Sequence, residues 1–312
     1  MMSNSSPDDR RNCHRNVFDD LLVGANVEAQ VSSFMDSNDF SINTNEAIRN
    51  DLRKFAKWFS EANGEVFDLT RVTVRDVVDF RNFLRIKKEQ AVSTCNRALV
   101  LIRRLFAYLH REGIVNSNPA KTVKELKKAS LPPEGLDGST VRRLLRQIEL
   151  NVDIRANAIF HLLLYTGARV SDVVSLNLKD IFIAEKSGQA VFRHGKGNKE
   201  RTVPLPNACR KALGAYLETR PPVNSELLFI GERGPLTTDG VQSLCRKYSA
   251  FIGVRIYPHI FRHTFAKKFL EENDNDLAAL ALLLGHSNIQ TTARYAQKSQ
   301  SALAVLAENI EY

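Results

Sequence analysis

Residues 127–140 constrain this chain more than any other stretch. They hold Pro132-Pro133, Gly135 and Gly138 among mixed charges. Adjacent prolines lack two backbone donors and restrict the residue before them, so neither helix nor strand runs through such a segment. Helical patterning lies on both sides of it. Upstream, Leu52, Phe55 and Phe59, and again Leu99, Ile102, Phe106 and Leu109, recur at three- and four-residue spacing. Downstream, the pattern resumes at Thr140-Val141-Arg142-Arg143-Leu144-Leu145. Two domains are therefore expected, and 312 residues suit two cores of ordinary size. The expected organisation is a polar tail over residues 1–24, a helical domain over 25–126, a linker over 127–139 and a second domain over 140–312.

Trp58 and the phenylalanines around it sit at helical spacing, which places them in a core rather than on a base-stacking platform. A helix is expected to end near Gly113, and Asn118-Pro119 blocks its simple continuation. In the second domain an apolar run, Ala158–Leu164, stops at Gly167. Residues 180–183, 190–193 and 201–205 read as short strands, with a turn at Gly195-Lys196-Gly197-Asn198. From Thr238 onward the chain reads as helical again. The expected fold class is mostly α: a helical N-terminal domain, then a mixed α+β domain with a small antiparallel sheet.

The formal net charge is +9, which favours polyanionic partners such as nucleic acid or an anionic membrane surface. Its distribution is uneven. Residues 1–50 carry four Lys/Arg against eight Asp/Glu, whereas residues 81–128 carry twelve against three. The basic segment is either an electrostatic footprint on DNA or a solvated helical face. Cys13, Cys95, Cys209 and Cys245 are far apart and form no CxxC pair, which fits neither a zinc site nor a disulfide framework. The first residues lack the apolar stretch of a signal peptide, and no apolar run approaches the ~18 residues that span a bilayer. A soluble, cytoplasmic protein is expected.

Four short segments hold polar residues that a helical domain would not place casually. In Tyr165-Thr166-Gly167-Ala168-Arg169-Val170-Ser171-Asp172, the arginine follows a glycine stop after an apolar helix, so its guanidinium starts nearly buried and needs an anionic partner. Asp172, three residues on, is the internal candidate. In Gly195-Lys196-Gly197-Asn198-Lys199-Glu200-Arg201, glycines permit close approach and Lys196 can deliver a proton or a charge to phosphate. In Pro258-His259-Ile260-Phe261-Arg262-His263, His259 and Arg262 share a helix face, while His263 is expected to point elsewhere in a structural role. The fourth segment, residues 284–295, carries His286 and Tyr295, with Thr291 one helical turn before the tyrosine. Two arginines, two histidines, a lysine and a tyrosine make a kit for phosphoryl transfer without a metal. The cations would stabilise charge on the non-bridging oxygens, and the phenolic oxygen would be the nucleophile.

Tyr165–Arg169, Gly195–Arg201, His259–Ala266 and Leu284–Tyr295, in that order, resemble the tyrosine recombinase/integrase family, in particular its compact Xer-type bacterial members. Phe261 stands where that family commonly has leucine, a volume change at an apolar position. A weaker match, from Ser93-Thr94-Cys95-Asn96-Arg97 to Asn118-Pro119, resembles the family's helical core-binding domain.

The resemblance implies a site-specific recombinase that breaks and rejoins duplex DNA through a 3′-phosphotyrosine. Tyr295 would be the nucleophile, Arg169 and Arg262 the phosphate clamp and Lys196 the general acid. His259 would accept the proton of Tyr295, and His286 would hydrogen-bond the phosphate. Expected DNA contacts are Thr94, Arg97, Arg103, Arg104, Lys199 and Arg201. No cofactor or metal is expected. The implied partners are a specific duplex DNA site, a tetramer of this chain on two such sites and, as an open option, a second recombinase. A cytoplasmic, nucleoid-associated location follows. Residues 300–310 read as a short helix whose apolar stripe, Ala302, Leu303, Val305, Leu306 and Ile310, either folds back on its own domain or docks on a neighbouring protomer. A metal-dependent nuclease would need clustered carboxylates, and these segments offer only Asp172 and Glu200. A catalytically silent DNA-bound regulator is the other alternative, but all six catalytic residues are present.

Overall fold

The computed structural model describes residues 25–38, 40, 42–127, 133–193, 200–286 and 288–296. The expected polar tail, the basic turn with Lys196 and Lys199, and the apolar stripe of residues 300–310 lie outside the described residues. The chain forms two compact units, Met1–Ser130 and Leu131–Tyr312.

The first unit is built from α1 (Ala25–Asp36), α2 (Ile42–Asn63), α3 (Val74–Asn82) and α4 (Val92–Arg111). Its core is aromatic. The ring of Phe55 meets Phe80 at 4.9 Å and Phe67 edge-on at 5.5 Å, and Trp58 packs on Phe80 at 5.4 Å. Trp58 is only 9% exposed, which makes it a core residue. α3 begins with a capping box: Thr73 accepts from the Asp76 N–H and Asp76 accepts from the Thr73 N–H, satisfying two orphan donors. On α4 the buried stripe Cys95, Ala98, Leu99, Ile102, Leu105, Phe106 and Leu109 follows the 3.6-residue period.

The opposite flank of α4 is polar and ties down the segment after it. Asn96 brackets Leu126, accepting from its N–H and donating to its carbonyl, both at 2.9 Å. Arg103 donates to the carbonyls of Ala120 and Val123 and to Glu125. These bonds add to the apolar packing of Val115, Ala120 and Val123 in the same core.

The second unit contains α5 (Gly138–Leu150), α6 (Ile154–Thr166), α7 (Val170–Val174), β1 (Ile181–Ile183), β2 (Gly188–Phe192), β3 (Arg201–Pro204), α8 (Asn207–Thr219), β4 (Ile230–Gly231), β5 (Gly234–Pro235), α9 (Thr238–Ile252), α10 (Pro258–Glu272), α11 (Leu277–Leu284) and α12 (Gln290–Ala293). α6 is largely apolar and is the buried centre of the unit; Ala158 through Leu164 are all buried, His161 among them. Phe261 of α10 is fully buried and packs on Phe160 of α6 at 5.1 Å, so the larger side chain is absorbed by the core. After the prolines, the Leu136 N–H donates to Thr264 Oγ1 at 2.8 Å, and a Cβ on Gly135 would lie 2.7 Å from the Thr264 backbone. The end of the expected linker is thus seated against α10, and only a glycine fits there.

β1, β2 and β3 form an antiparallel sheet in that order, with Ala190 opposite Ile181 on one side and Val203 on the other. Ala190, Phe192 and Val203 face the core while Phe182 is exposed, so one face is dry and one is wet. The structure departs from the sequence expectations in several places. The strand ends differ from the expected bounds by at most two residues, and the α8 helix and β4–β5 hairpin were not anticipated. Among the described residues the C-terminal helical stretch is four helices, broken at Gly253, at residues 273–276 and at Gly285, where both glycines have positive φ. Among the described residues no helix is long and apolar enough to cross a membrane.

Candidate active site

Arg262 is the hub of the site. It is 2% exposed, yet its guanidinium lies where two helices end. Nη1 donates to the Gly167 carbonyl at 2.6 Å, past the end of α6, and Nη2 donates to the Leu284 carbonyl at 2.8 Å, the last residue of α11. Orphan carbonyls and the negative end of the helix dipole make such termini natural seats for a cation. Gly167 and Gly285 adopt left-handed conformations that turn the chain away while leaving those carbonyls accessible. Burial and the like charges of Arg169 and Arg201 bring the Arg262 pKa down to about 10.

His286 takes the other hydrogen of Arg262 Nη2, at 2.8 Å. A guanidinium cannot accept, so Nε2 of His286 is the acceptor and its proton sits on Nδ1, which donates to Thr292 Oγ1 at 2.7 Å. Thr292 is fully buried and also accepts the Tyr295 N–H on its carbonyl at 2.9 Å. The threonine that ties the tyrosine to the site is therefore Thr292, whereas Thr291 is exposed. Burial, followed by Arg262, Arg169, Arg201 and Arg294, lowers the His286 pKa to about 4 and keeps the ring neutral.

Arg169 does not pair with Asp172 through its side chain. The Asp172 carboxylate accepts from the Arg169 backbone N–H at 3.1 Å and from Arg201 Nη2 at 2.6 Å. Arg201 also donates to the Leu283 carbonyl and lies over the Phe192 ring, with its side chain only 8% exposed. It is an internal strut joining α7, β3 and α11, which corrects its expected place on a DNA-contacting surface. The Arg169 Nη1 is buried with no hydrogen-bond partner among the described residues.

His259 is exposed on the first turn of α10, and its ring meets that of His263 edge-on at 4.4 Å. Desolvation and the charges of Arg262, Arg294 and Arg169 lower its pKa. His263 was expected to point elsewhere. It is instead the residue that hydrogen-bonds Tyr295, with 2.9 Å between Nδ1 and the phenolic oxygen. An i,i+4 pair on a helix shares a face, and the chain after α11 folds back over that face. Tyr295 is half-buried against the Ala266, Leu270, Leu280 and Leu284 cluster, and burial raises its pKa even though Arg262 and Arg294 oppose the rise.

In the first unit, Arg97 makes a two-pronged pair with the buried Asp51 at 3.0 and 3.1 Å. Arg104 lies over the Phe40 ring and donates to Asn38, and Thr94 is in the first turn of α4. Arg97 and Arg104 keep exposed surface, while Arg103 is largely spent on the 118–125 segment.

Gly167→Ala should expose how the site depends on its backbone. With φ at +59°, a Cβ there would lie 2.5 Å from Phe265 and 2.7 Å from Leu284. The left-handed conformation alone costs a non-glycine residue about 1–2 kcal/mol. Urea unfolding should show at least that loss, with reduced activity because the Gly167 carbonyl anchors Arg262. Unchanged stability would mean the Arg262 seat tolerates displacement.

Residues 134–302 match the phage integrase family, and residues 35–113 match the phage integrase N-terminal SAM-like domain. The chain therefore belongs to the phage integrase family, the tyrosine-type site-specific recombinases. Its relatives are of the Xer type. It is 34% identical to tyrosine recombinase XerC of Thermodesulfovibrio yellowstonii over 269 residues, covering 82% of this chain and 85% of that protein. It is 31% identical to tyrosine recombinase XerD of Lacticaseibacillus casei over 274 residues, covering 84% and 90%. Solved structures share the fold. XerH recombinase bound to its difH substrate in a pre-cleavage complex is 21% identical with a TM-score of 0.70, over 90% of this chain and 84% of that one. The Tn1549 transposon integrase in complex with circular intermediate DNA is 18% identical with a TM-score of 0.70, over 90% and 98%.

Proposed function

We propose that this recombinase cleaves and rejoins duplex DNA at a specific site through a 3′-phosphotyrosine on Tyr295, with no metal. The observation that carries this reading is the buried Nη1 of Arg169, without a partner among the described residues, beside the buried cation Arg262, with Asp172 already committed to Arg201. Buried charge needs a counter-ion, and a DNA phosphate supplies one of the right valence and shape for guanidinium forks. In the reaction the Tyr295 oxygen attacks the scissile phosphorus, the bond to the 5′ oxygen breaks, and that oxygen takes a proton from Lys196. Arg169 and Arg262 stabilise charge on the non-bridging oxygens, His259 flanks them and His286 hydrogen-bonds them. Rejoining is the reverse, with a 5′-hydroxyl from the partner duplex as the attacking group.

Thr94, Arg97 and Arg104 on α4, together with Lys199, supply contacts to the DNA backbone. The relatives' Xer type and the DNA complexes among the similar structures support that partner. Exchange of four strand ends on two duplexes requires four active sites, hence a tetramer that is either homomeric or shared with a second recombinase. The protein acts on the nucleoid in the cytoplasm.

The test uses a duplex bearing the site, recovered by selecting bound molecules from a randomised pool and nicked beside the cleavage point so that rejoining fails. Denaturant-resistant protein–DNA adduct should accumulate equally with and without excess EDTA. Loss of the adduct on chelation, with recovery on adding magnesium, would refute the metal-free reading.

A further inference from the structure

Cleavage needs an acceptor for the phenolic proton of Tyr295, and the residue touching that oxygen is His263. Its ring is 7% exposed and its Nδ1 lies 2.9 Å from Tyr295 Oη. We propose that His263 is a catalytic residue, the general base that takes the Tyr295 proton. This rests on the reading of Tyr295 as the nucleophile and assigns the proton to a different residue from the expected His259.

Three features support the assignment. The first is hydrogen-bond bookkeeping. Nδ1 of His263 is the acceptor available to the phenol among the described residues, so the tautomer with hydrogen on Nε2 lets Tyr295 donate to its lone pair. The second is rigidity. His263 is on the second turn of α10, between the buried Phe261–Arg262 pair and the buried Thr264, whereas His259 is exposed on the first turn. A buried helical ring holds its nitrogen at a fixed place, as a proton acceptor in the transition state must.

The third feature is the local field. The groups facing His263 are His259 and Arg262 from its own helix and Arg294 from the chain carrying Tyr295, and with desolvation as the largest cause they hold its pKa to about 4. The free protein thus keeps a neutral imidazole against a neutral phenol and makes no idle phenolate. A phosphate clamped by Arg169 and Arg262 would cancel much of that positive field and raise the basicity of His263. Proton uptake would then follow the arrival of DNA.

The step balances. The Tyr295 O–H bond breaks and its proton joins the Nδ1 lone pair, the P–Oη bond forms, and the P–O5′ bond breaks as Lys196 gives a proton to the leaving oxygen. Rejoining returns the proton from His263 to the phenol.

The test is single-turnover adduct formation on the nicked duplex by His263→Asn, His263→Gln and His259→Asn, each with native tyrosine and with a polyfluorinated tyrosine at position 295. The fluorinated phenol ionises near neutrality and needs no base. With native tyrosine both His263 variants should lose about 10²-fold or more in rate while binding the duplex normally. With the fluorinated residue that loss should shrink to within about tenfold, and the His259→Asn loss should not shrink. A loss under threefold at His263, or one the fluorinated phenol fails to relieve, overturns the assignment; relief at His259 instead moves the base there. If the His263 variants unfold, the Nδ1 nitrogen shift of His263 in the native sequence decides: it must change when the phenol is esterified, and no change overturns the proposal. Adduct formation by Tyr295→Phe would show instead that the nucleophile reading has failed.

Discussion

Tyr295→Phe should bind its DNA site with native affinity and form no denaturant-resistant adduct, a loss of roughly 10⁴-fold or more in cleavage. One oxygen is removed and nothing else need move. The ring keeps its neighbours: the His263 ring at 5.5 Å, the Arg294 guanidinium at 5.9 Å and the Ala266–Leu284 cluster. Loss of the bond to His263 Nδ1 should cost about 1 kcal/mol of stability, the usual net worth of one hydrogen bond. The checks are adduct formation on the nicked duplex, an equilibrium binding curve and urea unfolding. Adduct at the native rate would place the nucleophile elsewhere.

Arg169→Met should separate stability from activity in opposite directions. In the free protein Arg169 carries a buried donor with no partner among the described residues and repels Arg262. Leaving such a group buried costs about 1–3 kcal/mol, so its replacement by an apolar chain of similar length should hold or raise stability by about 1 kcal/mol. Cleavage should fall 10²- to 10³-fold, the order expected for removing one preorganised donor to a transition-state oxyanion. Arg169→Lys should recover little, because an ammonium cannot reproduce the fork.

The same substitution has a consequence for pH. His286 is held at about 4 against an ordinary 6.5, with Arg169 among the causes. The unfolded chain therefore takes a proton first as pH falls. Native stability is lost between about 6.5 and about 4, and none of that loss is felt above 6.5. Removing Arg169 raises the folded value and narrows the window, so the variant should lose less stability on acidification. Urea unfolding at several pH values, with a nuclear magnetic resonance titration of His286, tests both. A variant that cleaves within threefold of native, or is more acid-sensitive, would remove Arg169 from the clamp.

How far the residues alone reach is best seen by comparing pairs. The apolar run ending at Gly167 was legible as a buried helix with a stop because no polar face interrupts it. The β2 and β3 strands were legible from alternation, since Ala190, Phe192 and Val203 point one way. β4 and β5 were not, because two residues are too few to alternate. Arg262 could be singled out from its neighbours, but nothing near it in sequence announces the carbonyls of Gly167 and Leu284 that seat it.

Two assignments went differently for one reason. Asp172 pairs with Arg201 and not with the side chain three residues away, and Tyr295 meets His263 and not His259. Sequence by itself determined most of the elements and the inventory of reactive groups, because these depend on local periodicity and side-chain chemistry. Only tertiary structure decided which group faces which. A short-range rule says which residues share a helix face, but the partner arriving at that face comes from 22 to 95 residues away, as for Arg262, and its approach is set by how buried helices pack.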